Sequence, residues 1–180
     1  MIMPAVWYLF ASLIYILILL MYFSKKFALK KIILHSLLYF YIIAVIGVTI
    51  FPLPIQRNFI EDGIRSEHLN HNFVPFSSIL AIWHNDSSVI IKQLGGNILL
   101  GIPLGILLPI IASTAKKSKI FMIGLAFFAG IELTQYIISK ILGYTYRVAD
   151  IDDIILNSIG FLIGFGLWKI AIFFRMTKRS

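Results

Sequence analysis

Cysteine is absent from the 180 residues, and acidic residues are few, with 8 Asp and Glu against 16 Lys and Arg. Without cysteine the chain cannot form disulfides, use a thiolate nucleophile or bind a metal through sulfur. The first stretch, Pro4 to Phe23, also lacks any charged residue, and lysines follow it directly. A cleaved signal peptide carries its positive charge before the apolar stretch, so this order predicts a retained anchor.

Apolar side chains, by contrast, make up 59% of the sequence. Soluble domains contain about 45 to 50% apolar residues, so the composition predicts an integral membrane protein. We expect an all-α polytopic membrane helix bundle, a single transmembrane domain over residues 1–180, with about five spans of roughly 20 residues each. The predicted spans are about 4–23, 32–51, 94–112, 120–139 and 154–174.

The positions of lysine and arginine predict the orientation of this bundle, because short cytoplasmic loops carry an excess of these residues. Basic clusters at 25–31, 116–119 and 169–179 put the N-terminus outside and the C-terminus inside. The inner side then has no acidic residue. We expect its lysines to set the topology and to contact anionic lipids, and we predict no nucleic-acid partner.

A long outer segment, 52–93, is predicted between the second and third spans, and its Pro-Leu-Pro start interrupts a helix. Within it, Ser77 or Ser78 is a suitable N-cap for a short apolar helix that ends near Trp83. This helix is expected either to lie at the outer interface or to cover the bundle as a lid. The segment also contains three histidines, which we interpret as solvated loop residues and not as zinc ligands: His68, His71 and His84.

Two polar residues stand out within the third and fourth spans. Asn97 lies near the outer end of the third span, where its amide needs hydrogen-bond partners. Glu132 in the fourth span shares a helix face with Gln135, three residues on. The glutamate either joins the last two helices as a hydrogen-bonded acid, or it contacts a polar ligand or transfers a proton.

The fifth span begins with an acidic run. At helical spacing Asp150, Asp153 and Asn157 share one face, and Asp152 is turned aside. Glycines at small-xxx-small spacing, in the third span and again in the fifth, predict close helix packing. The topology brings polar residues from several segments to the outer half, which predicts one polar, partly buried site. Its predicted members are Asn72, Asn97, Glu132, Gln135, Arg147, Asp150, Asp153 and Asn157.

Most of these residues occur in four motifs. Through the order and spacing of these motifs, the sequence from about 69 to 168 resembles the VanZ-like family. The motifs are Asn72-Phe-Val-Pro-Phe, Asn97-Ile-Leu-Leu-Gly-Ile-Pro-Leu-Gly105, Ile131-Glu-Leu-Thr-Gln135 and Asp150-Ile-Asp-Asp153 with Asn157 and Gly160, with Arg147 at a basic position before the last. The resemblance implies a bacterial plasma-membrane protein of the cell envelope. The namesake of the family lowers susceptibility to the antibiotic teicoplanin, a lipid-tailed glycopeptide.

Two functions from different classes agree with these residues. In the first, which follows the family resemblance, the protein modulates susceptibility to teicoplanin or related lipoglycopeptides. Its outer-leaflet polar site binds a lipid-linked or amphiphilic molecule, such as a lipid-linked cell-wall precursor or a lipoglycopeptide, with no cofactor and no metal. In the second, a membrane enzyme acts on a lipid head group, with Glu132, Asp150 and Asp153 as acid-base groups or as ligands of magnesium or calcium. No acyl-transfer nucleophile with a base is present, which disfavours an acyltransferase.

Overall fold

The computed structural model describes residues 3–66, 70–82 and 91–177. This part of the chain contains seven α-helices and no β-strand, which confirms the all-α prediction. A π-helical turn, Ile91–Gly95, leads into the fifth helix. The helices are α1 Pro4–Ser24, α2 Leu29–Thr49, α3 Arg57–Ser66, α4 Ser77–Ile82, α5 Gly96–Ile111, α6 Lys117–Leu142 and α7 Ile151–Thr177.

Five helical segments are long and apolar enough to cross a membrane, as predicted: α1, α2, Lys92–Ile111, α6 and α7. The largest differences from the predicted bounds are at α6 and α7, which each extend by three residues at both ends, to 26 and 27 residues. A short helix in the outer segment was also predicted, and α4 confirms it. The amphipathic helix α3 was not predicted.

Contacts divide the chain into two compact units, and the first contains α1, α2 and α3. Tyr39 Oη donates a hydrogen bond to Ala11 O over 2.5 Å. The ring of Tyr8 packs directly on Gly47 and fills the space that a side chain at this position would need. These contacts join α1 to α2. The first unit comprises Met1–His71 and Leu133–Val148.

The last turns of α6 also belong to the first unit. The helix stops at Gly143, whose φ of +82° is a left-handed conformation that suits glycine. Its backbone N–H donates to Ser139 O over 3.0 Å. The next residue, Tyr144, is buried, and its ring lies directly against Gly63 of α3. This packing fixes α3 beside the end of α6.

The second unit is built around the crossing of α5 and α7. A Cβ on Gly101 or Gly105 of α5 would collide with the backbone of α7, and a Cβ on Gly160 or Gly164 of α7 would collide with the backbone of α5. The two backbones therefore touch, as the small-xxx-small spacing predicts. Phe161 is 1% exposed and packs on Gly124 of α6. The second unit comprises Asn72–Glu132 and Ala149–Ser180.

Candidate functional site

A short backbone bridge in the second unit joins two of the sequence motifs. The N–H of Asn72 donates to Ala149 O over 3.0 Å, and the N–H of Ile151 donates to Asn72 O over 3.0 Å. This isolated parallel bridge holds the Asn72-Phe-Val-Pro-Phe segment against the start of α7. Asn72 and Asp150, which are 78 residues apart in the chain, therefore bring their side chains together.

Asp150 lies at this bridge and is buried. Its Oδ1 accepts hydrogen bonds from Asn72 Nδ2 over 2.8 Å and from the N–H of Asp152 over 2.8 Å. Its Oδ2 accepts one from the hydroxyl of Ser78. Because donors engage both oxygens, Asp150 mainly organises the site.

Among the described residues, Asp152 is the most deeply buried acid, with 1% of its surface exposed. Its Oδ1 accepts from the backbone N–H of Phe76 over 2.5 Å, and its Oδ2 accepts from those of Ser78 and Ile79 over 2.9 and 3.1 Å. Phe76 has a φ of +67°, a left-handed conformation that is uncommon for such a residue. The carboxylate therefore binds the backbone N–H of the turn at Phe76 and two N–H groups in the first turn of α4.

Glu132 of α6 contacts the same bridge. Its Oε2 accepts a hydrogen bond from the backbone N–H of Asp150 over 2.9 Å, and only 7% of the residue is exposed. This contact joins α6 to the start of α7, as the structural alternative for this glutamate predicts. The other carboxylate oxygen has no hydrogen-bond partner among the described residues, so it is free to accept from a further donor.

Asp153 and Asn157 follow on the first turns of α7. Asn97 of α5 donates its side-chain amide to Asp153 Oδ1, and Asp153 is half-buried. One turn further, Asn157 is 6% exposed, and within the described ranges its buried Oδ1 has no hydrogen-bond partner. Buried acceptors are rarely left unpaired, so this oxygen indicates a donor from outside the described residues.

Four carboxyl groups, together with the amides and the hydroxyl that contact them, form an acidic cluster. In the described part of the chain none of the four forms an ion pair with lysine or arginine. Carboxyl and amide oxygens gathered in this way favour a cationic or hydrogen-bond-donating partner. The four acids are Glu132, Asp150, Asp152 and Asp153.

Gln135 and Arg147, the other two predicted site residues, make their contacts in the first unit. Gln135 Nε2 donates to Thr49 O, the last residue of α2, over 3.0 Å. Arg147 Nη2 donates to Phe51 O over 2.9 Å and to Val48 O over 3.4 Å. Both side chains thus bind carbonyls at the end of α2. Their membership of one site with the carboxylates stays a prediction.

The histidines provide no metal site within the described ranges, where no three His, Asp or Glu side chains are grouped to hold a metal ion. His71 packs edge-on against the ring of Tyr136, with 5.0 Å between ring centroids. Burial lowers the pKa of His71, and the positive charge of Lys140 lowers it further. His68 and His84 lie outside the described residues.

Two residues of the cluster were missed from the sequence, Asp152 and Ser78. Helical spacing turns Asp152 away from the face shared by Asp150 and Asp153, as predicted, but this direction leads it to the backbone amides of the turn at Phe76. Ser77 or Ser78 was expected as the N-cap of the short helix, and the hydroxyl of Ser78 instead binds Asp150. The only sequence signal for this role of Ser78 was its place two residues after the Asn72 motif.

The four motifs that build this cluster all lie within a region of the chain that matches a known protein family. A sequence model described as VanZ/LLP1 matches residues 38–174, which is most of the chain. The chain belongs to the VanZ/LLP1 family. This VanZ/LLP1 match confirms the resemblance, and it extends the related region beyond 69–168, from the middle of α2 to near the end of α7.

With five candidate spans, this member of the VanZ/LLP1 family is a multi-pass membrane protein. No curated protein and no solved structure gives a significant match to the chain.

Proposed function

We propose that this VanZ/LLP1 protein binds a lipid-linked or amphiphilic molecule through its acidic cluster, and that it thereby modulates susceptibility to teicoplanin or related lipoglycopeptides. The observation that carries the proposal is a set of acceptor oxygens that the contacts among the described residues leave unused. The Oδ1 of Asn157 is buried without a partner in the described part of the chain. Glu132 and Asp153 each have one carboxyl oxygen that accepts no hydrogen bond from the described residues.

The chemistry of these acceptors favours a ligand that presents hydrogen-bond donors or a positive charge. An ammonium group has three N–H donors and no acceptor, which matches three oxygens on Glu132, Asp153 and Asn157. Hydrogen bonds between charged partners contribute about 1.5 to 3 kcal/mol each, more than neutral ones. The apolar part of such a ligand would lie along the spans that carry the cluster.

The ends of the spans support a site on the outer side of the bacterial plasma membrane. The basic clusters after α1 and before α6 are those that the positive-inside rule assigns to the cytoplasm. By the same rule, the segment with Asn72 and the start of α7 face outward. Lipid-linked cell-wall precursors and lipoglycopeptides are exposed on that side, which agrees with a role in the cell envelope.

Variants of the unused acceptors test the proposal in a strain that lacks the gene and is complemented with each variant. Ala at Asp153 or Asn157 is expected to remove most of the protection against teicoplanin. Glu132→Gln keeps an acceptor for the N–H of Asp150 and replaces the second oxygen by an NH2 group, so we expect a partial effect of about 1 kcal/mol, about fivefold in affinity. The measurement is the minimal inhibitory concentration at matched protein levels.

The matched control is Asn58→Ala, which removes an amide from the exposed surface of α3 and should leave susceptibility unchanged. Normal resistance with Ala at Glu132, Asp153 and Asn157, in strains that express the protein normally, contradicts a binding role for the cluster.

An enzyme that acts on a lipid head group is the second candidate, because Glu132 and Asp153 each have an oxygen available for acid-base chemistry. In that case Glu132→Gln should abolish the effect completely, and lipid extracts from cells with and without the protein should differ by a product. An unchanged lipid and precursor profile argues for binding alone.

A further inference from the structure

A cavity of about 290 Å³ lies in the first unit, and the acidic cluster contributes no residue to it. Its size is close to the lower limit for small-molecule sites, about 300 Å³. Most of its wall is aromatic rings and proline, with one cationic side chain. The lining residues are Pro52, Pro54, Phe59, Tyr144, Tyr146 and Arg147.

The backbone around this cavity holds its walls in place. The Pro-Leu-Pro segment directly after α2 supplies one wall, and prolines there fix the backbone. The ring of Tyr144 packs against Gly63 of α3, and the hydroxyl of Tyr146 donates a hydrogen bond to Ile50 O. Phe59 of α3 is 49% exposed and forms an accessible edge of the cavity. The cavity is therefore preformed and open on the side of Phe59.

Arg147 gives the cavity its charge. Its Nη2 group binds Phe51 O and Val48 O, which fixes the plane of the guanidinium. The remaining N–H groups have no hydrogen-bond partner among the described residues, and no described carboxylate lies within 4 Å of them. With Nη2 donating to two carbonyls, the N–H groups of Nε and Nη1 remain, and each of them can donate to a phosphate oxygen.

We propose that this cavity binds the phosphate head group of an anionic amphiphile, with Arg147 on the phosphate and the aromatic and proline wall along the first part of the apolar chain. Inorganic phosphate has the same charge but would leave that wall uncovered, which is why an amphiphile fits better. The inference goes beyond the proposed function, because it uses other residues and a ligand group of opposite charge.

Direct binding measurements on the full-length protein in a neutral detergent test this inference. The probes are dioctanoyl phosphatidic acid and inorganic phosphate, titrated by isothermal calorimetry. We expect the lipid to bind at least about tenfold more tightly than inorganic phosphate, because its first methylenes are buried against the aromatic and proline wall. Equal affinities would mean a site for free anions and would overturn the amphiphile assignment, and an absence of binding would overturn the whole inference.

Two variants change the cavity in different ways. Arg147→Ala should weaken phosphatidic acid binding by about tenfold or more through the loss of charged hydrogen bonds. Phe59→Asp places a negative charge at the accessible edge and should have a similar effect. Because Phe59 is half-exposed, this second variant should fold even if Arg147→Ala, which also loses its bonds to α2, does not.

The controls match each variant in charge. Arg57→Ala removes an arginine that lines no wall of the cavity and is paired with Glu61 at 2.7 Å. Asn58→Asp adds a negative charge one residue before Phe59, on an exposed side chain. Both should bind the lipid about as tightly as the unchanged protein. Wild-type affinity in Phe59→Asp, with an unchanged melting temperature, would contradict the inference.

Discussion

At the scale of single residues, the acids near the start of α7 have different tasks although they stand close together in the sequence. Asp150 and Asp152 bind donors of the protein itself, whereas Asp153 keeps one oxygen available. Helical spacing predicted which face each acid shares. It could not predict the partners of Asp152, because the amide of Ser78 lies 74 residues away along the chain.

The first prediction concerns Asp152→Asn. The amide keeps one acceptor oxygen but presents an NH2 group to backbone N–H donors, so the turn at Phe76 loses charged hydrogen bonds. We expect the free energy of unfolding to fall by about 2 kcal/mol, the range for bonds to a charged group. Unfolding by titration with sodium dodecyl sulfate from mixed micelles measures this change.

Glu61→Gln is the matched control for Asp152→Asn. It also converts an acid to its amide, but at an exposed i, i+4 pair with Arg57 on α3. Exposed pairs of this kind contribute about 0.5 kcal/mol or less, so its unfolding curve should nearly coincide with that of the unchanged protein. Equal stability of both variants would show that the three amide contacts of Asp152 contribute little.

At the scale of helices, the five long apolar segments were predictable, because a bilayer demands about 20 apolar residues in a row. Helix α3 was not predicted. Its 10 residues mix Arg, Glu and Asp with Phe and Ile, and two prolines that disfavour a helix come shortly before it. Its apolar positions, Phe59, Ile60, Gly63 and Ile64, are spaced for one face of a helix. That periodicity was the available signal. The packing of Tyr144 against Gly63 stabilises the helix, and the sequence does not reveal this contact.

The second prediction compares two glycines on α7. Gly164 lies against the backbone of Ile102, so Gly164→Ala forces α5 and α7 apart and should cost about 1 to 3 kcal/mol. Gly166 has no atom within 4 Å of an added Cβ. Gly166→Ala should therefore leave stability unchanged or raise it by up to about 1 kcal/mol through helix propensity.

The same detergent titration measures the free energy of unfolding of both glycine variants. Because only Gly164→Ala is expected to lower it, Gly166→Ala serves as the control. A loss of stability in Gly164→Ala no larger than in Gly166→Ala would mean that the two helices separate at little cost. The close crossing holds Asn97 beside Asp153, so Gly164→Ala should also weaken the proposed ligand binding.

At the scale of the whole molecule, sequence predicted the class, the family and part of the cluster, but it could not assign residues to units. Asn72, Asn97, Glu132, Asp150, Asp153 and Asn157 all belong to the second unit, whereas Gln135 and Arg147 belong to the first. Gln135 shares α6 with Glu132, yet its amide binds the end of α2. Helical periodicity tells which face a residue shares, and only tertiary contacts tell which neighbour that face meets.

The third prediction tests the orientation on which the proposed site depends. The basic residues predict that the connections after α1 and before α6 are cytoplasmic and that α3 is external. Because the chain has no cysteine, each introduced cysteine is the only thiol. Ser24→Cys and Ser118→Cys report on the two inner connections, and Asn58→Cys reports on α3, all at exposed side chains.

In intact cells, a membrane-impermeant maleimide should label Asn58→Cys and leave Ser24→Cys and Ser118→Cys unlabelled until the membrane is permeabilised. The reverse pattern would place α3 and, with it, the start of the outer segment in the cytoplasm. Lipid-linked precursors and lipoglycopeptides on the external side could then not reach the acidic cluster, so a role in susceptibility to them would require a different site. The labelling result therefore decides whether the resistance measurements report on this cluster directly.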